Sequence, residues 1–146
     1  MKFVCNSMLG RLAKYLRMLG YNTLYFRDIR DDKLLSFTSQ GYIILTRDKA
    51  LGNRKNVIIL KSTNVIDQLR ELKEILGISF DRRDCRCPEC NTPLIKVTDK
   101  KPLIGKIPSE ILNSHDIFYI CPNCGKIYWE GSHWYNFVDS VKKILG

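Results

Sequence analysis

The 146-residue chain has no apolar run near the roughly 18 residues that a membrane-crossing helix requires. Its first residues, Met1-Lys2-Phe3-Val4-Cys5-Asn6, hold too short an apolar stretch for an export signal, which leads to the expectation of a soluble, cytoplasmic protein with no membrane partner. No G-x-G-x-x-G follows that stretch and no G-x-x-x-x-G-K-[ST] occurs, so dinucleotide and nucleoside triphosphate binding lack their phosphate loops. A G-x-S-x-G nucleophile elbow is missing as well. Internal repeats and low-complexity segments are also missing, and a composition of 45% hydrophobic and 27% charged residues excludes wholesale disorder. At this length one main core is possible, and any second unit must be small or held by a metal.

What is abundant is positive charge. Lys and Arg number 24 against 15 Asp and Glu, a net charge of +9. Fourteen basic and seven acidic residues fall within 1–80, ten and eight after it, so the excess belongs to the amino-terminal part. Neutralising a polyanion releases its condensed counterions, which makes nucleic acid the leading partner class; ordinary solubility charge is the competing explanation.

Hydrophobic periodicity divides the first 80 residues into alternating strands and helices. Residues 3–5 form a short apolar run, and Ser7 is expected to cap a helix from Met8 to Leu19 that stops at Gly20. Leu9, Leu12, Leu16 and Leu19 follow the helical period, with Arg11, Lys14 and Arg17 mostly off that stripe. Tyr21 to Phe26 reads as a strand, Asp31-Asp32 opens a second helix with acids in its first turn, and Gly41 ends it. Tyr42 to Thr46 and Asn56 to Leu60 read as strands apolar on both sides, and Asn64 to Leu76 as an amphipathic helix. This alternation predicts an α/β fold: a parallel sheet with helices on both faces. Near Phe80 to Arg86 the pattern gives way to charge and cysteine, which divides the chain into an α/β domain over 1–80 and a second unit over 81–146.

Five of the six cysteines crowd the second unit. Cys87-Pro88-Glu89-Cys90 and Cys121-Pro122-Asn123-Cys124-Gly125 are two C-x-x-C knuckles 30 residues apart, and four thiolates on two tight turns complete a tetrahedron around Zn²⁺. The doubled motif, set in a chain without an export signal, argues against a lone redox pair and against disulfides. Cys85, two residues from Cys87, is a possible substitute ligand. A closed four-cysteine site leaves no position for substrate, so this zinc is expected to hold a small zinc ribbon together rather than to do chemistry. Between the knuckles, Lys96, Lys100, Lys101 and Lys106 lie in a hairpin-like stretch. After the second knuckle, Tyr128 to Tyr135 carries Trp129, Glu130, His133 and Trp134: aromatics that either stack bases or pack the ribbon on the larger domain, with His133 as a phosphate contact or acid, or merely hydrogen-bonded in a packed turn. Asn136 to Leu145 reads as a terminal helix docked on an apolar surface.

In an open parallel sheet, ligands bind outside the carboxyl ends of the strands. Asn6 follows the first strand, Asp31 and Asp32 begin the helix after the second, and Thr46-Arg47-Asp48 ends the third. Carboxylates converging there would bind Mg²⁺ or Mn²⁺ and assist an in-line phosphodiester displacement; helix caps and solvated loop acids are the alternative.

Met8 to Thr23, Asp31 to Leu35 and Ile44 to Asp48, together with Cys87 to Asn91, Cys121 to Lys126 and Tyr128 to Trp134, resemble the Mut-seven C-terminal RNase domain family over nearly the whole chain. The resemblance implies a PIN-like fold followed by a zinc ribbon, and cleavage of single-stranded RNA by a divalent ion held by a few acids. It assigns Asp31 or Asp32 and Asp48 to two of those acid positions and puts Asn6 where the family's first acid usually stands. An amide oxygen can touch an ion but brings no charge, so metal affinity and water activation are expected to fall. Two readings follow. One is a metal-dependent endoribonuclease with Arg11, Lys14, Arg17 and Arg47 as phosphate contacts. The other is a weak or inactive derivative that binds structured RNA or a ribonucleoprotein such as the ribosome.

Overall fold

The computed structural model describes residues 1–80 and 84–146. Four short strands, β1 (Lys2–Cys5), β2 (Asn22–Tyr25), β3 (Tyr42–Thr46) and β4 (Val57–Ile59), form a wholly parallel sheet in the order β2-β1-β3-β4. Side chains alternate across a strand, so β1 and β3 each feed two cores. Phe3, Cys5 and Leu45 face α1 (Gly10–Met18) and α3 (Val65–Leu76), while Val4 and Ile44 face α2 (Asp31–Ser36) and the 3₁₀ turn that continues it over Phe37–Gln40. Burial on both faces explains the unbroken apolar runs, and the expected parallel sheet with helices on both faces is what the chain forms.

The start of α1 differs from expectation. Ser7 is exposed and caps nothing; the helix begins at Gly10 after Leu9, with no side-chain cap. The chain leaves β1 through a tight turn in which the Leu9 N–H donates to the Asn6 carbonyl at 3.2 Å, and Met8 takes a left-handed φ of 74° so that Leu9 can be fully buried. Burial of Leu9 therefore overrides the capping preference of Ser7. At the start of α3 local chemistry holds: Asn64 Oδ1 accepts the Asp67 N–H at 2.9 Å and Asn64 Nδ2 donates to Asp67 Oδ2 at 2.7 Å, a reciprocal cap.

The carboxy-terminal residues form a three-stranded antiparallel sheet, β5 (Ile95–Val97), β6 (Phe118–Ile120) and β7 (Ile127–Trp129), around Leu103, Leu112 and Phe118. The lysine-bearing stretch between the knuckles is more than a hairpin. β5 and β6 do pair, but a 3₁₀ turn (Lys101–Leu103) and α4 (Ser109–Ser114) intervene, and their Leu103 and Leu112, with Ile107 and Ile111, supply apolar cover for this small sheet.

The last helix, α5, spans Ser132–Leu145 and so starts four residues before the expected Asn136. His133 thereby lies in a helical first turn and not in a packed loop. Trp134, Phe137, Val138 and Val141 make one helical stripe, and that stripe is buried in the core of the large sheet. Phe137 meets Tyr15 edge-on at 5.0 Å and 83°, and Trp134 and Phe80 close the cluster. Lys73 Nζ fixes the far end of the helix by donating to the Ile144 carbonyl at 2.7 Å. The expected domain boundary after residue 80 adjoins residues 81–83, which lie outside the described residues.

Truncating a buried aromatic removes transfer energy and leaves a cavity, so Phe137→Ala is expected to destabilise the protein by about 3 kcal/mol or more. Urea unfolding followed by far-ultraviolet circular dichroism measures this. A loss within about 0.5 kcal/mol would mean that α5 is not part of the main core.

Candidate functional site

The four cysteines form the clearest site. Their Sγ atoms all lie within 4.8 Å of one another, and Cys87 Sγ is 3.9 Å from Cys124 Sγ. Four sulfurs each about 2.3 Å from a central Zn²⁺ would be separated by edges of roughly 3.8 Å, so the donor set fits a tetrahedral zinc site. Among the described residues this is the one group of three or more His, Cys, Asp or Glu side chains placed to hold an ion. The cluster consists of Cys87, Cys90, Cys121 and Cys124, and Cys85 is not a member.

The two knuckles share one backbone solution. The N–H of the residue after each second cysteine returns to the carbonyl of the first: Asn91 to Cys87 and Gly125 to Cys121, both at 2.8 Å. That residue must be left-handed, φ 64° at Asn91 and 77° at Gly125, which is why only Gly or Asn suits it. Burial alone would raise the Cys121 thiol, but the backbone N–H groups of Cys124 and Asn123 outweigh it and bring it to about 7, a sulfur prepared to be a thiolate. The Tyr128 hydroxyl lies 3.2 Å from Cys87 Sγ, and burial and the neighbouring sulfur hold that phenol protonated. Cys5, by contrast, is fully buried in the main core, and its thiol is pushed up to about 12.

The first knuckle is clasped to the large sheet. Asn91 Oδ1 accepts the Thr23 N–H at 2.9 Å, and Asn91 Nδ2 donates to Asn22 Oδ1 at 2.7 Å. Arg17 Nε donates to the Thr23 carbonyl at 2.8 Å and Nη1 to the Pro88 carbonyl at 2.6 Å. Arg17, read from the sequence as a phosphate contact, is therefore half-buried and already committed to two carbonyls, where its long fork bridges the two sheets. Lys14 pairs with Glu89 of the same knuckle at 3.4 Å, with both side chains about half exposed, so the pair is easily surrendered. Arg11 is exposed at the first turn of α1.

At the carboxyl edge of the parallel sheet, β1 pairs with β3 through Cys5 and Leu45, so Asn6 and the Thr46-Arg47-Asp48 segment emerge side by side. Asp48 caps a 3₁₀ turn over Lys49–Leu51, its Oδ1 accepting the Ala50 N–H at 3.0 Å. Asp32 pairs with Arg30 at 3.3 Å in full view of solvent, and Asp31 is exposed beside it. These three carboxylates do not gather as a trio. Two polar atoms of this edge stand out: Asn6 Oδ1 and Arg47 Nε are both buried without a hydrogen-bond partner. A buried acceptor and a buried donor left open cost about 1–3 kcal/mol each, and such atoms usually serve a ligand, an ion or a water.

Two residues escaped sequence reasoning. Asn91 carried a signal, since it occupies in the first knuckle the place of Gly125 in the second. Glu71 carried none: it reaches back ten residues to accept the Lys61 N–H at 2.9 Å and the Ser62 N–H at 3.0 Å, which pins the chain leaving β4.

The Mut7-C RNase domain family model matches residues 1–141, and the chain belongs to that family. Comparisons with curated proteins and with solved structures give no significant match. No helix among the described residues is long and apolar enough to cross a membrane.

Chelation or Cys121→Ser is expected to release one zinc per chain and to disrupt the small sheet while leaving most of the helical circular dichroism signal, carried by α1, α3 and α5. Loss of the whole signal at the same chelator concentration would show that the two sheets fold as one unit.

Burial pushes the Glu71 carboxyl up, but the two backbone donors outweigh it and hold the group below its ordinary value. Its contribution is therefore present above the unfolded value of about 4.3 and lost as pH falls through the native value. Glu71→Gln should cost about 1–2 kcal/mol at pH 7 and progressively less below pH 4, as read by urea unfolding at each pH. An equal cost at both would remove the charge from the explanation.

Proposed function

We propose that the chain is a PIN-like, metal-assisted endoribonuclease acting on single-stranded RNA, with its reaction centre at the carboxyl edge of the parallel sheet. The observation that carries this reading is the pair of open, buried polar atoms, Asn6 Oδ1 and Arg47 Nε, beside Asp48. An acceptor oxygen suits a cation and a guanidinium N–H suits a phosphate oxygen, which is the pairing a phosphodiester and its counterion require. A bound Mg²⁺ or Mn²⁺ would activate water and neutralise charge in an in-line displacement. Asn6 and Asp48, with Asp31 or Asp32, would hold it, and Arg47 and Arg11 would contact phosphates, with Lys14 joining if Glu89 releases it. His133 is kept as a further RNA contact on α5. The chain divides functionally into the α/β domain over 1–80 and the zinc ribbon over 81–146, whose terminal helix returns to the larger core. Cysteines gathered as metal ligands rather than paired as disulfides suit the reducing cytoplasm.

A second reading has its own observation. Asn6 brings no charge and the carboxylates do not gather as a trio, which favours a protein that binds structured RNA or a ribonucleoprotein such as the ribosome and cleaves it slowly or not at all. Labelled single-stranded RNA with Mn²⁺ or Mg²⁺ separates the two. Cleavage that falls at least a hundredfold in Asp48→Asn supports the nuclease, and Asn6→Asp should then raise the rate further. An inert protein that begins to cleave as Asn6→Asp supports the second reading. If neither protein cleaves RNA under any of these conditions, the carboxyl edge is not a nuclease site.

A further inference from the structure

A cleft of about 200 Å³ lies where the zinc ribbon, the end of α1 and the start of α5 meet. Tyr119, Tyr128, Trp129 and Trp134 give it aromatic walls, and Met18 of α1 contributes its thioether. Three polar residues line the same space: Glu130, His133 and Arg86, whose Nη1 also donates to the Asn91 carbonyl at 2.9 Å. The size is below the roughly 300–1,000 Å³ of sites for drug-sized ligands, which limits the occupant to about one ring system. Flat aromatic walls favour a flat occupant, and a lining that holds both a carboxylate and an arginine favours an edge carrying both donors and acceptors over a phosphate, which Glu130 would repel. Trp134, one of the lining residues, adds a further mark: its Nε1 is buried and has no hydrogen-bond partner.

We propose that this cleft takes one unstacked nucleobase of a single-stranded RNA, stacked on the tryptophan and tyrosine walls and read along its edge by Arg86, Glu130 and His133. The proposal rests on the reading of the chain as an RNA-binding protein with a net charge of +9. The cleft is separate from the proposed reaction centre. Met18 closes α1 and Asn6 precedes it, so nine helical residues, about 13 Å at 1.5 Å per residue, separate the two places. The cleft thus anchors the strand at a distance from the bond to be cut.

The test uses the zinc-loaded full chain, whose only two tryptophans, Trp129 and Trp134, both line the cleft. Fluorescence anisotropy of a labelled single-stranded oligoribonucleotide reports binding anywhere on the protein, and tryptophan emission reports occupation of the cleft. The expected result is quenching in step with binding, with affinity reduced about tenfold in the double variant Glu130→Gln with His133→Ala. Adenosine or cytidine monophosphate at high concentration should quench weakly and compete with the oligonucleotide. Binding by anisotropy with unchanged tryptophan emission and no effect of the double variant would overturn the cleft while sparing the RNA reading. Quenching by the monophosphates without binding of the oligonucleotide would support a base site but overturn its RNA source. If neither ligand binds, both readings fall.

Discussion

The interaction on which the rest of this structure depends is the seal placed on edge strand β2 by the first zinc knuckle. A parallel sheet of four short strands ends on that side in unpaired backbone groups, and open edges invite association with other chains. Here Thr23 gives its N–H to Asn91 and its carbonyl to Arg17, and Arg17 also holds the Pro88 carbonyl. Asn91 can present its amide to β2 only because the knuckle forces it into the left-handed region, and the knuckle holds that turn only while its cysteines are gathered. The gathering of the four cysteines is thereby coupled to the closure of the neighbouring sheet's edge. The close approach continues at Gly20, just past the end of α1, where a φ of 101° favours glycine and a Cβ would also come within 3.1 Å of Asp84.

A second consequence concerns α5. The helix is the last element of the sequence, yet its stripe of Trp134, Phe137, Val138 and Val141 completes the core begun by Phe3 and Leu12. The ribbon is therefore held at both ends: by its first knuckle against β2 and by the helix that leaves it against α1 and α3. This double attachment is what permits so small a sheet, with three fully or nearly buried apolar residues of its own, to keep a fixed position on its neighbour.

Strand and helix order in the first 80 residues was legible because burial on both faces writes an unmistakable pattern, and Tyr42 to Thr46 is a strand from end to end as read. The clustering of Cys87, Cys90, Cys121 and Cys124 was legible from spacing alone. What escaped was set by long-range contact. Ser7 looks like a cap until Leu9 has to be buried; Arg17 looks like a surface cation until Thr23 and Pro88 are placed around it; Glu71 finds its donors ten residues back. The start of α5 was a different kind of miss, since Trp134, Phe137, Val138 and Val141 already carry the helical period. The aromatic cluster from Tyr128 to Tyr135 drew attention to recognition and hid the phase of the helix it begins.

Helix α1 ties these observations together. Its amino-terminal end follows Asn6, at the edge where a buried acceptor and a buried donor stand open; its carboxy-terminal end carries Met18 into the aromatic cleft and Arg17 into the seal on β2. The three basic residues along it, Arg11, Lys14 and Arg17, pass from solvent to a half-exposed ion pair to a half-buried clasp. Positive charge on this helix is thus graded in its availability: free for a polyanion near the sheet's carboxyl edge and consumed by structure near the ribbon. A polyanion lying along α1 would meet free positive charge at Arg11, near Asn6, whereas at the ribbon end Arg17 is committed and the surface offers the aromatic-walled cleft. The same helix therefore runs from the proposed reaction centre to the proposed base cleft.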